Sequence, residues 1–207
     1  MDVINLISKG SSFPDAPETK PGSLYQPGEM FYTNGPRFHD FMRDIYDNVL
    51  SKYDTMTVGE MPYVTDIAEI SRTVGAEAKE LNMMFNFDHM EIEDVKTKGE
   101  SKWSLREWKL TELKRIISEW QKKMIEHDCW SALFLECHDQ ARSVSRFVDD
   151  SDSSRVQGAK LLALLQTTLG RLCTCTKARR LACVTSHPNG IQTLITRTSN
   201  LGISGGK

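Results

Sequence analysis

The sequence predicts an α/β fold with parallel strands, on two observations. Short apolar runs that suit β-strands alternate with amphipathic stretches that suit helices. The segments between consecutive strands have the length that crossovers in a parallel sheet require. This alternation fits both an open doubly wound sheet and a closed barrel. No glycine-rich phosphate loop follows any predicted strand, which weakens the nucleotide-binding version of the open sheet.

The elements of the first half follow from apolar spacing and from residues that end a strand or helix. Apolar side chains recur at helical spacing behind Asn34-Gly35-Pro36, which predicts a helix after that turn. A stretch rich in Gly, Pro and Ser has no period and predicts a long loop. The elements in order are a strand over 2–7, this loop over 8–36, a helix over 38–49, a strand over 55–60 stopped by Pro62, and a helix over 66–74.

The second half repeats the alternation. Its strongest helical signal places these apolar side chains on one face: Leu113, Ile116, Ile117, Trp120 and Met124. A buried strand and a further helix follow. The elements in order are a strand over 81–87, a helix over 111–125, a strand over 132–137 and a helix over 155–169.

The composition is that of an ordinary globular protein. The 207 residues carry 26 Lys and Arg against 28 Asp and Glu. No apolar run reaches membrane-spanning length, and residues 1–5 do not resemble a signal peptide. Five cysteines, an odd number crowded toward the C-terminus, argue against a disulfide framework and favour a reducing compartment. We therefore expect a cytoplasmic location and no membrane partner.

Residues 171–207 differ in composition from the rest of the chain. They hold six Lys and Arg and no Asp, Glu or aromatic residue, whereas residues 1–170 hold the other 20 basic and all 28 acidic residues. These scattered charges form no dense patch, so no nucleic-acid partner is expected. Cys173-Thr174-Cys175 lacks a second pair at zinc-site spacing, so no metal site is expected. The sequence thus predicts a folded part over 1–170 and a disordered tail over 171–207.

Acidic residues at strand ends supply the candidate chemistry. Glu60 ends a predicted strand, Asp139 follows another, and Asp2 lies within the first apolar segment. The carboxyl ends of barrel strands meet at one face, so such acids can converge. Two converging carboxylates can divide glycoside hydrolysis, since one attacks the anomeric carbon and the other protonates the leaving oxygen. Spacing alone favours helix caps or solvated loop positions for most acids of this kind.

Several motifs, in order along residues 1–170, sharpen this interpretation. The chain resembles the α-glucosidases of glycoside hydrolase family 13, of the maltase/isomaltase type. The motifs are M-D-V-I-N-L-I-S-K (Met1 to Lys9), Y-Q-P-G-E-M-F-Y-T-N-G-P-R-F-H-D (Tyr25 to Asp40), V-G-E-M-P (Val58 to Pro62), E-L-N-M-M-F-N-F (Glu80 to Phe87) and L-E-C-H-D-Q-A-R-S-V-S-R (Leu135 to Arg146). The resemblance implies a partial (β/α)₈ barrel, with about strands four to seven and their helices.

The resemblance also implies a role for each matching residue. Asp2 is expected to be the nucleophile, Glu60 the general acid/base and Asp139 the stabiliser of the transition state. His138 is expected to bind sugar hydroxyls. For Arg142 a place in the substrate pocket and a structural ion pair are equally favoured. No cofactor is implied, and the expected substrate is a small α-glucoside of the maltose or isomaltose type.

Three residues beside these positions bear on the site. Cys137 stands where the family usually has Asn, and Ala141 where it has Pro. Either departure could loosen the placement of Asp139. Val3, directly after Asp2, is associated in the family with α-1,6 linkages, which favours isomaltase or oligo-1,6-glucosidase behaviour.

The resemblance begins within a strand and stops near residue 170. The family's first three strands are missing, so the 207-residue chain alone is expected to be inactive. Codons can be written for Leu172 to Lys177 that, read in another frame, give L-Y-V-Y-Q, which the family has at this place. We therefore interpret the tail as a frame-shifted segment. A sucrose isomerase or transglucosylase of the same family, and a non-catalytic product of a damaged gene, are the alternatives to an α-glucosidase.

Overall fold

In the computed structural model, residues 1–94 and 106–169 are described in full and residues 172–173 by their backbone. The chain forms two compact units, Met1–Ala132 and Leu133–Lys207. The elements in chain order are α1 Phe38–Asn48, β1 Val58–Glu60, α2 Ile67–Val74, β2 Met83–Phe85, α3 Leu110–Glu126, β3 Ala132–Leu133, α4 Ser143–Phe147, α5 Arg155–Thr168 and β4 Leu172–Cys173. Single 3₁₀ turns cover Ile4–Leu6, Glu29–Phe31 and Leu50–Lys52.

The first unit is organised by a parallel ladder of four chain segments. The amino group of Met1 donates to Val58 O at 2.8 Å, and Glu60 N donates to Met1 O at 3.0 Å. This is the pattern of a parallel pair in which Met1 lies opposite Gly59. Gly59 in turn pairs with Met84 in the parallel β1–β2 sheet, and Met84 forms a parallel bridge with Ser131. The predicted α/β fold with parallel strands is therefore confirmed.

The first predicted strand, over 2–7, is wrong: only Met1, just before it, joins the ladder. The backbone turns at Val3, whose φ is 32°, and continues as the 3₁₀ turn Ile4–Leu6. Asn5 is fully buried and its Nδ2 donates to Pro62 O at 2.8 Å. A buried side-chain amide can satisfy backbone groups that a strand would pair with its neighbour, so the apolar run leaves the ladder after Met1.

The helices of the first unit follow their predicted apolar faces. The face of α3 is buried, including Trp120, whose Nε1 donates to Asp88 Oδ2 at 2.9 Å. In α1, Phe38 and Met42 are fully buried. The α2 helix is capped by Asp66, whose carboxylate accepts from Ala68 N at 3.0 Å. Helix bounds were predicted to within a residue or two because a periodic face identifies them.

His39 ties α1 to α2 and to the segment before β2. Its Nδ1 lies 2.9 Å from Oε1 of the buried Glu80, and its Nε2 hydrogen-bonds Glu69 of α2. Burial raises the pKa of Glu80, and the contacts with His39 oppose that rise. Because Glu80 precedes β2, this cluster lies at the amino end of the ladder, opposite the end that carries Glu60.

The second unit buries apolar side chains of its strand, loop and helices. Those buried are Leu133, Phe134, Leu135, Val144, Phe147 and Leu162. Gln166 of α5 donates to Leu133 O at 3.0 Å, which fixes the helix to the strand. The five-residue α4 was not predicted because it is too short for a periodic signal.

The predicted tail over 171–207 falls almost wholly outside the described residues. At its start, Leu172–Cys173 form the two-residue strand β4, which is the neighbour of β3. Leu172 and Cys173 therefore have regular structure, although they lie within the segment predicted to be disordered. Among the helices that the structure describes, none combines the length and the apolar character needed to cross a bilayer.

Candidate active site

The parallel ladder brings Asp2 and Glu60 side by side. Because Met1 lies opposite Gly59, Asp2 lies opposite Glu60, the last residue of β1, at the carboxyl edge of the ladder. The amide of Val3 donates to Glu60 Oε2 in a long hydrogen bond of 3.4 Å. Asp2 is exposed and Glu60 is half-buried. The first unit thus places two of the predicted catalytic carboxylates on neighbouring segments, with solvent access.

Gly59 is closely packed by the side chains of Ile4 and Leu81. A Cβ at this position would lie 2.6 Å from Ile4 Cδ1 and 2.7 Å from Leu81 Cδ1. Real Cβ atoms do not come so close, so any other residue would push the flanking side chains away. The glycine in V-G-E therefore serves the packing of β1 beneath Glu60, as a glycine within a strand often does.

Left-handed backbone flanks both carboxylates. Val3, directly after Asp2, has φ 32°, and Tyr63, three residues after Glu60, has φ 66°. Positive φ is unfavourable for any residue with a Cβ, and most of all for a β-branched one. Burial and the nearby Glu91 carboxylate raise the pKa of Tyr63. Left-handed backbone also occurs at Asn34, Lys79 and Asp128, so it is not confined to the carboxylates.

The other predicted site residues belong to the second unit. His138 and Asp139 are 84% and 70% exposed, and His138 Nε2 lies 3.3 Å from Asp139 Oδ2. Both side chains lie on the loop between β3 and α4. That Asp139 shares one mouth with Asp2 and Glu60 remains a prediction.

Arg142 forms an ion pair with a residue that we did not predict, Glu136. The Arg142 guanidinium is 19% exposed and its Nη1 lies 2.6 Å from Glu136 Oε1. Oε2 of the same carboxylate accepts from Ser143 N at 3.2 Å and from Ser143 Oγ at 3.0 Å. Burial raises the pKa of Glu136, but the bonds from Arg142 and Ser143 outweigh burial and leave the pKa below its ordinary value.

The sequence contained a signal for Glu136. It lies in the apolar run A-L-F-L-E-C, and a glutamate is rarely buried unless it is paired. Arg142, six residues later, is the partner that this rule required. Of the two interpretations of Arg142 from the sequence, the ion pair is the one with a contact in the structure.

The bonds to Glu136 make the stability of this unit depend on pH. The pKa of Glu136 in the folded chain lies below its ordinary 4.5, so ionised Glu136 stabilises the fold above that pH. This stabilisation is lost as the pH falls through the folded pKa. We expect Glu136→Gln to reduce the free energy of unfolding more at about pH 7 than at about pH 3, in urea titrations followed by circular dichroism. An equal reduction at both pH values would contradict this.

Two cavities open elsewhere, at the amino ends of the strands. One, of about 340 Å³, is lined among others by Thr55, Asn82 and Trp130, and the other, of about 220 Å³, by Tyr46, Tyr53 and Asn82. Neither is lined by a predicted site residue. Within residues 1–94 and 106–169, no group of three or more His, Cys, Asp or Glu side chains could hold a metal ion.

Two curated relatives of the chain are glucosidases by name. It is 47% identical over 163 residues to an oligo-1,6-glucosidase of Parageobacillus thermoglucosidasius, and 42% identical over 164 residues to an α-glucosidase of Schizosaccharomyces pombe. Each match covers 79% of this chain and 28% of the relative. The chain thus spans less than a third of the length of these curated relatives.

A solved structure and a family model agree with these relatives. The fold is similar to the crystal structure of a mutant of Bacillus licheniformis trehalose-6-phosphate hydrolase, with a TM-score of 0.77 and 41% identity over 89% of this chain and 31% of that one. The model of the alpha amylase catalytic domain matches residues 1–174, which hold all five predicted site residues. The chain therefore belongs to the alpha-amylase catalytic-domain family of glycoside hydrolases.

Proposed function

We propose that residues 1–170 are the part of a retaining α-glucosidase that carries its chemistry, comprising barrel strands four to seven and their helices. The observation that carries this proposal is the ladder of Met1, Gly59, Met84 and Ser131, with Asp2 and Glu60 side by side at its carboxyl edge. Four successive parallel segments with intervening helices suit a section of a (β/α)₈ barrel. Residues 171–207 form no part of this domain in the proposal, apart from the strand at their start.

The spacing of the ladder supports retention of configuration. Neighbouring strands lie about 4.8 Å apart. Retaining glycosidases place their two carboxyl groups about 5–5.5 Å apart, whereas inverting enzymes need about 6.5–9.5 Å to admit a water. Acids that leave neighbouring strands at the same edge suit the shorter separation. In the proposal Asp2 attacks the anomeric carbon, and Glu60 protonates the leaving oxygen and then activates the water.

The remaining site residues have supporting roles. Asp139 stabilises the positive charge that develops on the sugar ring, and His138 holds the sugar hydroxyls. Arg142 pairs with Glu136 and supports the loop that carries both residues. The substrate is a small oligosaccharide with a terminal α-linked glucose, and Val3 favours α-1,6 over α-1,4 linkages. No cofactor takes part in this chemistry. The odd number of cysteines in the sequence supports a cytoplasmic location.

A chimera tests the proposal. In it, residues 1–169 replace the matching segment of the Parageobacillus oligo-1,6-glucosidase, which supplies the rest of a barrel. We expect the chimera to hydrolyse p-nitrophenyl α-glucoside and isomaltose with release of α-glucose, and the 207-residue chain to hydrolyse neither. Proton NMR of the first product gives the anomeric outcome. A folded chimera without turnover would favour the non-catalytic alternative, and isomaltulose formed from sucrose would favour a sucrose isomerase.

A further inference from the structure

The loop that carries His138 and Asp139 is closed by one buried side chain. Glu136 lies immediately before the loop 137–141 and is 6% exposed. Its carboxylate reaches across to the two residues that follow the loop, through the bonds from Arg142 Nη1, Ser143 N and Ser143 Oγ. Residues 136–143 therefore form a ring closed by a side chain, with Asp139 near its middle.

The segment 136–143 that forms this ring is attached to the core at both of its ends. Leu135, before Glu136, is 1% exposed, and Ser143 begins α4, which buries Val144 and Phe147. Within the loop, His138 and Asp139 are largely exposed, whereas Cys137, Gln140 and Ala141 are partly buried. Hydrogen bonds to an ionised carboxylate are stronger than those between neutral groups. The contacts of Glu136 are thus well suited to fix where the exposed pair lies.

The sequence of the loop makes a restraint on its backbone more important. Position 141 is Ala, where the motif that it resembles has Pro. Proline fixes its own φ and restricts the residue before it, so an alanine leaves the backbone beside Asp139 with more freedom. A carboxylate that closes the loop restricts that freedom from outside the loop.

We propose that Glu136 is a positioning residue for glycoside cleavage, holding Asp139 and His138 in place by closing the loop 137–141 onto Arg142 and Ser143. This inference rests on the proposed function. Glu136 does not touch the sugar; it acts through Asp139. Since Asp139 would act on charge that develops only in the transition state, a displaced Asp139 reduces kcat more than it raises KM.

The test combines two measurements. One is hydrogen exchange of the loop amides in the 207-residue chain, and the other is steady-state kinetics of the chimera. We expect Glu136→Gln to raise hydrogen exchange of the amides in 137–142 about tenfold without changing that of α3. In the chimera it should reduce kcat for isomaltose about 10–100-fold and change KM less than about threefold. Of the three groups that donate to the Glu136 carboxylate, Ser143→Ala removes only the Ser143 hydroxyl. We expect it to reduce kcat in the same direction by about threefold, and it remains informative if Glu136→Gln does not fold.

Glu112→Gln is the matched control. Glu112 also pairs with an arginine, Arg106, at 3.0 Å, but it lies on α3 in the first unit. The Glu112→Gln variant should leave kcat, KM and the hydrogen exchange of the amides in 137–142 unchanged. Normal kcat in Glu136→Gln, or a reduced kcat with unchanged loop exchange, would overturn the inference and leave the proposed function standing. If the unmutated chimera folds but has no turnover, the proposed function fails and the inference fails with it.

Discussion

Replacing Glu60 with Gln in the chimera is expected to reduce kcat for isomaltose about 10³-fold. The amide has no proton to give to the leaving sugar oxygen and cannot later accept one from water. With p-nitrophenyl α-glucoside the first step should suffer much less, because p-nitrophenolate is a good leaving group that needs little protonation. The backbone of β1 should remain in place, since its bonds to Met1 and β2 use main-chain atoms.

The two substrates distinguish a general acid from a nucleophile. Asp2→Asn removes the attacking oxygen, so it should slow both substrates about equally. Glu77→Gln makes the same change as Glu60→Gln at an exposed position outside the site and should leave kcat unchanged. Steady-state kinetics with both substrates, together with circular dichroism to verify folding, provide the measurement. An equal loss of kcat/KM, which reports the first step, on both substrates for Glu60→Gln would count against its role as acid.

Gly35→Ala is expected to destabilise the first unit by about 3 kcal/mol. A Cβ at Gly35 would lie 1.9 Å from the carbonyl oxygen of Ser8 and 2.5 Å from its carbonyl carbon. These are backbone atoms, so no rotamer change can relieve the overlap. The same contact region holds the start of α1, because Ser8 Oγ accepts from Arg37 N at 2.8 Å. Moving Ser8 away would therefore break a second interaction.

Urea unfolding of the 207-residue chain would measure this effect. Gly10→Ala provides the comparison within the same loop, since its Cβ would meet only Ser12 O, at 3.9 Å, which is ordinary contact. It should change the free energy of unfolding by less than about 0.5 kcal/mol. Equal midpoints for the two variants would show that the loop moves aside without loss.

The helices and the parallel arrangement could be predicted because their signals are local and repeated. The α3 face was predicted residue by residue, and α2 was predicted over 66–74 against Ile67–Val74. The strands were predicted too long, over 81–87 and 132–137 against Met83–Phe85 and Ala132–Leu133. An apolar run shows which side chains are buried, but it does not show where backbone pairing stops.

The motifs predict Asp2, Glu60 and Asp139 as site residues, and these roles stay predictions. The contacts that support the three residues could not be predicted, because neither the turn at Val3 nor the ring around Glu136 has a local signature. Both depend on contacts between residues that are distant in sequence or on opposite sides of a loop. Val3, for example, donates to a carboxylate 57 residues away. Single-sequence patterns contain no information about such pairs beyond the rule that a buried charge needs a partner.

The pairing of Met1 with Gly59 also determines which insertions and deletions this part of the chain can tolerate. Insertions in the crossover between these residues leave the two carboxylates adjacent, because the alignment of the backbones sets their proximity. Deleting one residue inside β1 would shift the alignment by one position and turn Glu60 toward the opposite face of the sheet. Length variation should therefore accumulate in the connecting segments, while the strand retains a fixed number of residues.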